Sequence, residues 1–256
     1  ESYHDMGIVR VFKKLHNGWS KIGDTIYGEN QTDNASVSTL FGHTVYIIND
    51  GTRICVTAPH YTKILENGDS LSKVGAIYTY EYNDSSWVKY GETILGYFND
   101  QKLGYNNIGF SKDDGNTISH GLTAEEIQGN NESVLYSARI YEYDGSDWNQ
   151  SHEIPIEGTG KTNTQLQSDG KYVFIYYPHE IGIIYVYKLQ DNGIFLLHIT
   201  DTVQLAELYL AYEDKSLSIS SDGSIIVASY YNDNTTGKGL LYIIGAGGKH
   251  EPEPEP

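Results

Sequence analysis

Glu142 and Asp144 stand two apart in R-I-Y-E-Y-D, so an extended strand carries both carboxyls on one face. Paired carboxylates are what glycoside hydrolysis uses, and partners can also come from separate strands, so the spacing admits such chemistry without specifying it. The alternative role for this pair is plain solvation. The histidines, His4, His16, His43, His60, His120, His152, His179, His198 and His250, show no H-x-x-x-H spacing and read as solvated loop residues. No G-x-S-x-G elbow, P-loop or dinucleotide fingerprint appears. Cys55 lies in the apolar run R-I-C-V-T-A-P, which suits a small buried hydrophobe better than a reactive thiol, and as the only cysteine it has no intrachain disulfide partner. Tyr176-Tyr177 and Tyr230-Tyr231 follow apolar strands, where an aromatic shelf can stack on a sugar or a partner, or pack between neighbouring sheets.

The elements that must position these residues are legible in composition first. The 256 residues include 23 Tyr and 27 Gly but one Met and one Cys, a balance that favours twisted sheet and tight turns. The formal net charge of −17 repels a phosphate backbone, which argues against nucleic acid and anionic membranes as partners. No apolar run is long enough for a membrane helix. The chain opens at Glu1 with neither initiator Met nor signal-like segment, as a processed or excised piece does. N-x-S/T sequons at Asn30, Asn34, Asn83, Asn131, Asn149 and Asn234 point to an extracellular or cell-surface glycoprotein.

Three elements recur. Val74–Gly96 contains an alternating strand, I-Y-T-Y-E-Y, then a polar turn and W-V-K-Y-G-E-T-I-L-G; the latter is matched by W-S-K-I-G-D-T-I-Y-G from Trp19 and more loosely from Trp148. Asp-Gly pairs at 50–51, 114–115, 169–170 and 222–223 are hairpin signals, since Gly51, Gly115, Gly170 and Gly223 supply the positive φ of a tight turn. The Tyr strand returns at 139–144, 184–189 and 241–245. Each unit therefore reads as a Trp strand, a strand entering the Asp-Gly turn, a strand leaving it and a Tyr strand. Four such units predict an all-β propeller, a small ring or an arc of a larger one. Trp19, Trp87 and Trp148 are expected to pack between its sheets. In the fourth unit Asn192-Gly193-Ile194-Phe195 stands where a Trp is expected. Thr202–Glu213 fits a short helix or a strand, and Thr123–Glu126 has capping-box spacing. The repeat domain is placed at 1–248 and the E-P-E-P-E-P end, 249–256, is a stiff tail or linker.

The consensus, G-x-I-Y-x-Y, a turn, W-x-x-x-G-x-x-I-x-G and an S-x-D-G hairpin before an apolar strand, resembles the FG-GAP-type propeller repeats found in the integrin α-subunit and in microbial and algal surface proteins. The resemblance covers about residues 7–245. Calcium-binding members carry a D-x-D-x-D-G type loop, whereas the loops here, 28–36 and 96–104, offer only Asp33 and Asp100 as isolated acids. Calcium is thus at most a weak ligand and no other cofactor is expected. Ser111–Thr117 also resembles the sialidase Asp-box, S-x-D-x-G-x-T, with Ile118 in place of its final aromatic. A sialidase needs clustered guanidinium groups, and Arg10, Arg53 and Arg139 are all the chain has, each in a predicted strand.

The resemblance implies a non-enzymatic adhesion or recognition module that meets a protein or glycan at the cell surface. A structural subunit of a surface appendage, assembling with itself, and a carbohydrate-active enzyme are the alternatives.

Overall fold

The computed structural model describes residues 7–29, 38–105, 108–121, 136–156, 163–166, 169–177, 183–190, 193–199, 216–220, 225–231 and 239–245. Strands account for all of its regular structure, and no helix occurs among the described residues. Among the described residues five antiparallel sheets follow one another along the chain, and a sixth, two-stranded one is inserted in the second. The first pairs β1 (Ile8–Leu15) with β2 (Gly18–Tyr27). The second contains β3 (Val45–Ile47), β4 (Arg53–Ala58), β7 (Ala76–Tyr82), β8 (Trp87–Lys89) and β9 (Ile94–Leu95); between β4 and β7 lies a small hairpin of β5 (Lys63–Ile64) and β6 (Ser70–Leu71). The third runs β10 (Gly109–Phe110), β11 (Thr117–Gly121), β12 (Tyr136–Tyr143), β13 (Trp148–Ile156). The fourth runs β14 (Asn163–Leu166), β15 (Tyr172–Tyr177), β16 (Ile183–Gln190), β17 (Gly193–Ile199). The fifth has β18 (Ser216–Ile219), β19 (Ile225–Tyr231) and β20 (Gly239–Gly245).

This order corrects the expected phase of the unit. The Trp strand does not open a sheet; it hydrogen-bonds to the Tyr strand before it, with Tyr82 opposite Trp87 and Tyr143 opposite Trp148. The four-residue link between them is a tight turn in which Asn83 or Asp144 accepts two backbone N–H groups, from Ser85 and Ser86 or from Ser146 and Asp147. A turn that short forces its flanking strands to be neighbours, whereas the longer loop after the Trp strand crosses to the next sheet. The Asp-Gly hairpins also share one geometry: Asp50, Asp114 and Asp169 each accept from the N–H two residues on, at 2.8, 2.9 and 2.9 Å, and Gly51, Gly115 and Gly170 have φ of 77°, 65° and 71°. In the Asp-box-like turn Ser111 Oγ donates to Asp114 Oδ1 and accepts from the Asn116 and Thr117 N–H groups, so those residues hold the hairpin. Asp222-Gly223, Thr123–Glu126, Thr202–Glu213 and the tail 249–256 lie outside the described residues.

The core lies between sheets. The first apolar cluster joins Val9, Val11 and Ile26 of the first sheet to Tyr78, Tyr80 and Trp87 of the second. The next joins Cys55, Ile77 and Tyr90 to Ile118, Tyr141 and Trp148, and a third joins Ile140 and Ile154 to Val173 and Ile175.

The W-x-x-x-G motif is the interlock. Trp87 lies over Gly23 of the preceding sheet, where an added Cβ would stand 2.7 Å from its Cδ1, and Trp148 lies over Gly91, at 2.6 Å. Both glycines have positive φ, 65° and 69°. The Trp87 Nε1–H donates to Ile22 O at 3.2 Å and the Trp148 Nε1–H to Thr79 Oγ1 at 2.9 Å. The motif is therefore used across sheets: the Trp of one covers the Gly of the sheet before. Two sequence departures then explain each other. Ile194 takes the Trp position of the fourth sheet, opposite Leu189, and His152 stands in the third sheet where that Trp would have required glycine. Gly91→Ala and Gly23→Ala are each expected to destabilise the protein by more than about 1 kcal/mol, since both φ and space oppose a Cβ; urea unfolding measures it.

A candidate ligand cleft between the second and third sheets

In the second and fourth sheets an apolar residue stands opposite a Tyr nine residues before the Trp position: Val56 pairs with Tyr78, and Ile175 with Tyr185. In the third sheet that pair is His120 and Arg139. Both face the second sheet. His120 is 2% exposed, which corrects its expected place in a solvated loop. Its ring stacks on Tyr141 at 5.8 Å, its Nδ1 lies 3.4 Å from Gly121 O and its Nε2 has no hydrogen-bond partner. Burial pushes its pKa down to about 4, with Arg139 adding to the effect, so the imidazole is neutral at pH 7.

Arg139 lies 5.3 Å over the Tyr97 ring and 3.4 Å from Glu153 Oε1, yet its Nε makes no well-aligned hydrogen bond. Glu153 also accepts from Ser137 Oγ at 2.7 Å. Burial works against its charge, but the Ser137 hydrogen bond and Arg139 outweigh it and hold the carboxyl below its usual range. Tyr141 is buried, and burial raises its phenol far above neutrality; Tyr97 and Arg139 interact with it, but its Oη makes no well-aligned hydrogen bond. Native interiors satisfy nearly all such groups, so several unpaired polar atoms in one place ask for an explanation.

Tyr141 lines an open cleft of about 300 Å³, near the lower end of small-molecule pockets. Tyr97 and Trp148 add aromatic walls, and Lys63, Glu92 and Asp147 charge its rim. Asp147 is partly committed, since its Oδ1 accepts from the N–H groups of Glu92 and Trp148, both at 2.7 Å. Glu92 is exposed. The cleft thus offers a phenolic hydroxyl and two carboxylates, and the Arg139 guanidinium interacts with that phenol from outside the cleft lining. Such a set grips a carbonyl or anionic oxygen and leaves an acid–base group near it.

A second polar group sits at the loop end of the second sheet. His43 stacks on Tyr105 at 5.0 Å and loses water on that side, which lowers its pKa. His60 is lowered by burial and then by Lys73 and Lys102. Lys73, Asp100 and Lys102 hold positive φ of 50°, 59° and 49°. Asp100, a calcium candidate, donates its N–H to Ser72 O at 2.8 Å, while Asp33 is outside the described residues. No group of three His, Cys, Asp or Glu positioned to hold a metal occurs among the described residues.

The other sequence candidates are placed as follows. Tyr176-Tyr177 and Tyr230-Tyr231 end β15 and β19. Glu142 and Asp144 are exposed; Asp144 is held down to about 2 by backbone and hydroxyl donors of its own turn and is a turn residue. Asn83 and Asn149 are exposed, and Asn149 Nδ2 donates to Asp144 at 2.9 Å. Asn30, Asn34, Asn131 and Asn234 are outside the described residues. Trp87 and Trp148 are each 8% exposed, whereas Trp19 is 70% exposed, contrary to the expectation that it packs between sheets. Cys55 is fully buried and its thiol is pushed up by desolvation, which leaves it inert. The cleft residues escaped sequence reasoning because they come from four separate segments. Trp148 alone was marked by the repeat, and His120 and Arg139, which the repeat shows out of type, lie behind the cleft against Tyr141.

No family model matches the chain, and no curated protein matches it. Solved structures do. A Bacteroides uniformis protein provisionally assigned as a 6-phosphogluconolactonase is 14% identical with a TM-score of 0.49, over 96% of this chain and 69% of that one. TolB from Acinetobacter baumannii is 13% identical with a TM-score of 0.43, over 79% of this chain and 43% of that one. Prolyl oligopeptidase B from Galerina marginata is 15% identical with a TM-score of 0.43, over 83% of this chain and 28% of that one. The chain spans less than half the length of the latter two.

The fold is β-propeller-like. Identities this low show the fold alone, and no strand pairing joins the first described sheet to the last. The expected non-enzymatic adhesion module is corrected by these comparisons: two of the three structures bear the names of a lactonase and a peptidase, and the exclusion of enzymatic activity falls with it.

Proposed function

We propose that the chain is a propeller enzyme of hydrolase type whose reaction takes place in the cleft between the second and third sheets. The single observation that carries this reading is Tyr141 Oη, a buried, protonated hydroxyl with no well-aligned hydrogen bond, in the wall of an open cleft. Tyr141 holds the oxygen of a small ester or lactone carbonyl, where negative charge builds as water adds, and Arg139 supports it through its positive charge beside the Tyr141 phenol. Glu92 takes the proton of that water and returns it to the leaving oxygen. The repeat is read as FG-GAP-type, as a ring or an arc of a larger propeller, and the sequons support a location outside the cell.

The test is an assay of the purified protein on a panel of small carboxylic esters and lactones. Tyr141→Phe is expected to lower turnover by about 10²-fold, as removal of an oxyanion donor does. It should leave the melting temperature unchanged or raised, because it deletes an unsatisfied buried hydroxyl. No hydrolysis across the panel overturns the proposal, and so does a Tyr141→Phe protein that retains full turnover.

A further inference from the structure

In the second and third sheets the face bearing the Tyr strand and its Trp is covered by the sheet before. Counting back from the Trp, the face is Ala76, Tyr78, Tyr80 and Tyr82 in β7, and the same count gives Ile8, Arg10, Phe12 and Lys14 in β1. Tyr78, Tyr80 and Trp87 are 2%, 6% and 8% exposed. Their counterparts in the first sheet are bare: Phe12 is 51% and Trp19 70% exposed, with Ile8 at 47%. The opposite face of the same sheet is buried, through Val9, Val11 and Ile26. Among the described strands β1 pairs only with β2, whereas β7, β12, β16 and β20 each pair also with a strand earlier in the chain.

The charge of this sheet is reversed. Ile8–Tyr27 carries Arg10, Lys13, Lys14 and Lys21 against Asp24, a net +3, so the rest of the −17 chain holds −20. Two such basic faces repel each other, whereas the basic face and the acidic body of another copy attract. The face that sheets of this repeat cover within the chain is left for a sheet of the same repeat from outside it.

We infer that the Ile8–Phe12–Trp19 face is a docking surface for a second copy of this chain, which meets it through its acidic body in a head-to-tail contact. Trp19 serves there as Trp87 and Trp148 serve between sheets. The contact is independent of the cleft.

Light scattering or sedimentation across about 1–100 μM at low salt is expected to show the mass at least doubling, and about 0.5 M NaCl to reverse it by screening. Trp19→Ala and Phe12→Glu, both at exposed positions, should each return the protein to monomer with an unchanged melting temperature. Trp19 fluorescence should shift to the blue on association and stay red-shifted in monomer. A protein monomeric at every concentration overturns the inference, as does association that neither substitution weakens, or a monomer that instead captures a chemically different partner on this face.

Discussion

Trp148→Ala is expected to cost about 3–5 kcal/mol, the range for truncating a buried aromatic. The ring is 8% exposed, covers Gly91, and contacts Tyr90 and Tyr143 at 5.8 and 5.5 Å. Its Nε1–H satisfies Thr79 Oγ1, which itself donates to Tyr90 O at 2.5 Å. Truncation therefore opens a cavity between two sheets and breaks a polar relay in the same place. The midpoint of urea unfolding should fall with no change in its slope. Trp19→Ala, in the same motif, should change the stability of the monomer by less than about 0.5 kcal/mol, because the side chain lies on the surface. Equal losses at the two positions would mean that the Trp–Gly interlock does not hold the sheets together.

His120 makes the protein sensitive to mild acid. Its pKa falls from the ordinary 6.5 to about 4 because burial disfavours the imidazolium. The unfolded chain takes up a proton at His120 at higher pH than the folded chain does. Stability from this group is therefore complete above pH 6.5, is lost as pH falls towards 4, and changes no further below that. The loss is on the order of 3 kcal/mol at about 1.4 kcal/mol per pH unit. His43 and His60 act with the same sign, and the lowered carboxyls of Glu153 and Asp50 lose their contribution only further down. His120→Val, which installs the residue found at the equivalent position of β4, isolates the effect. Its stability should fall less steeply than that of the parent between pH 6.5 and 4. Parallel curves for the two proteins would show that His120 does not carry the acid response.

The sequence by itself determined the local elements. Alternation along I-Y-T-Y-E-Y, Asp-Gly pairs that need one residue at positive φ, and their repetition at regular intervals each depend on neighbours in the chain, so they are readable without coordinates. Only the tertiary structure decided which strands share a sheet. The Trp strand sits between two Tyr strands in sequence, and its motif looks the same whichever it joins; the tight Asn83 and Asp144 turns assign it to the one before. Burial was decided in the same way. His120, a polar residue in a strand, and Trp19, an aromatic in a repeated motif, took the reverse of their expected environments because burial depends on what covers a face, and the covering sheet is supplied from elsewhere. The cleft is the extreme case. Lys63, Glu92, Tyr97, Tyr141 and Asp147 come together through the stacking of two sheets, and no spacing within one strand records that approach.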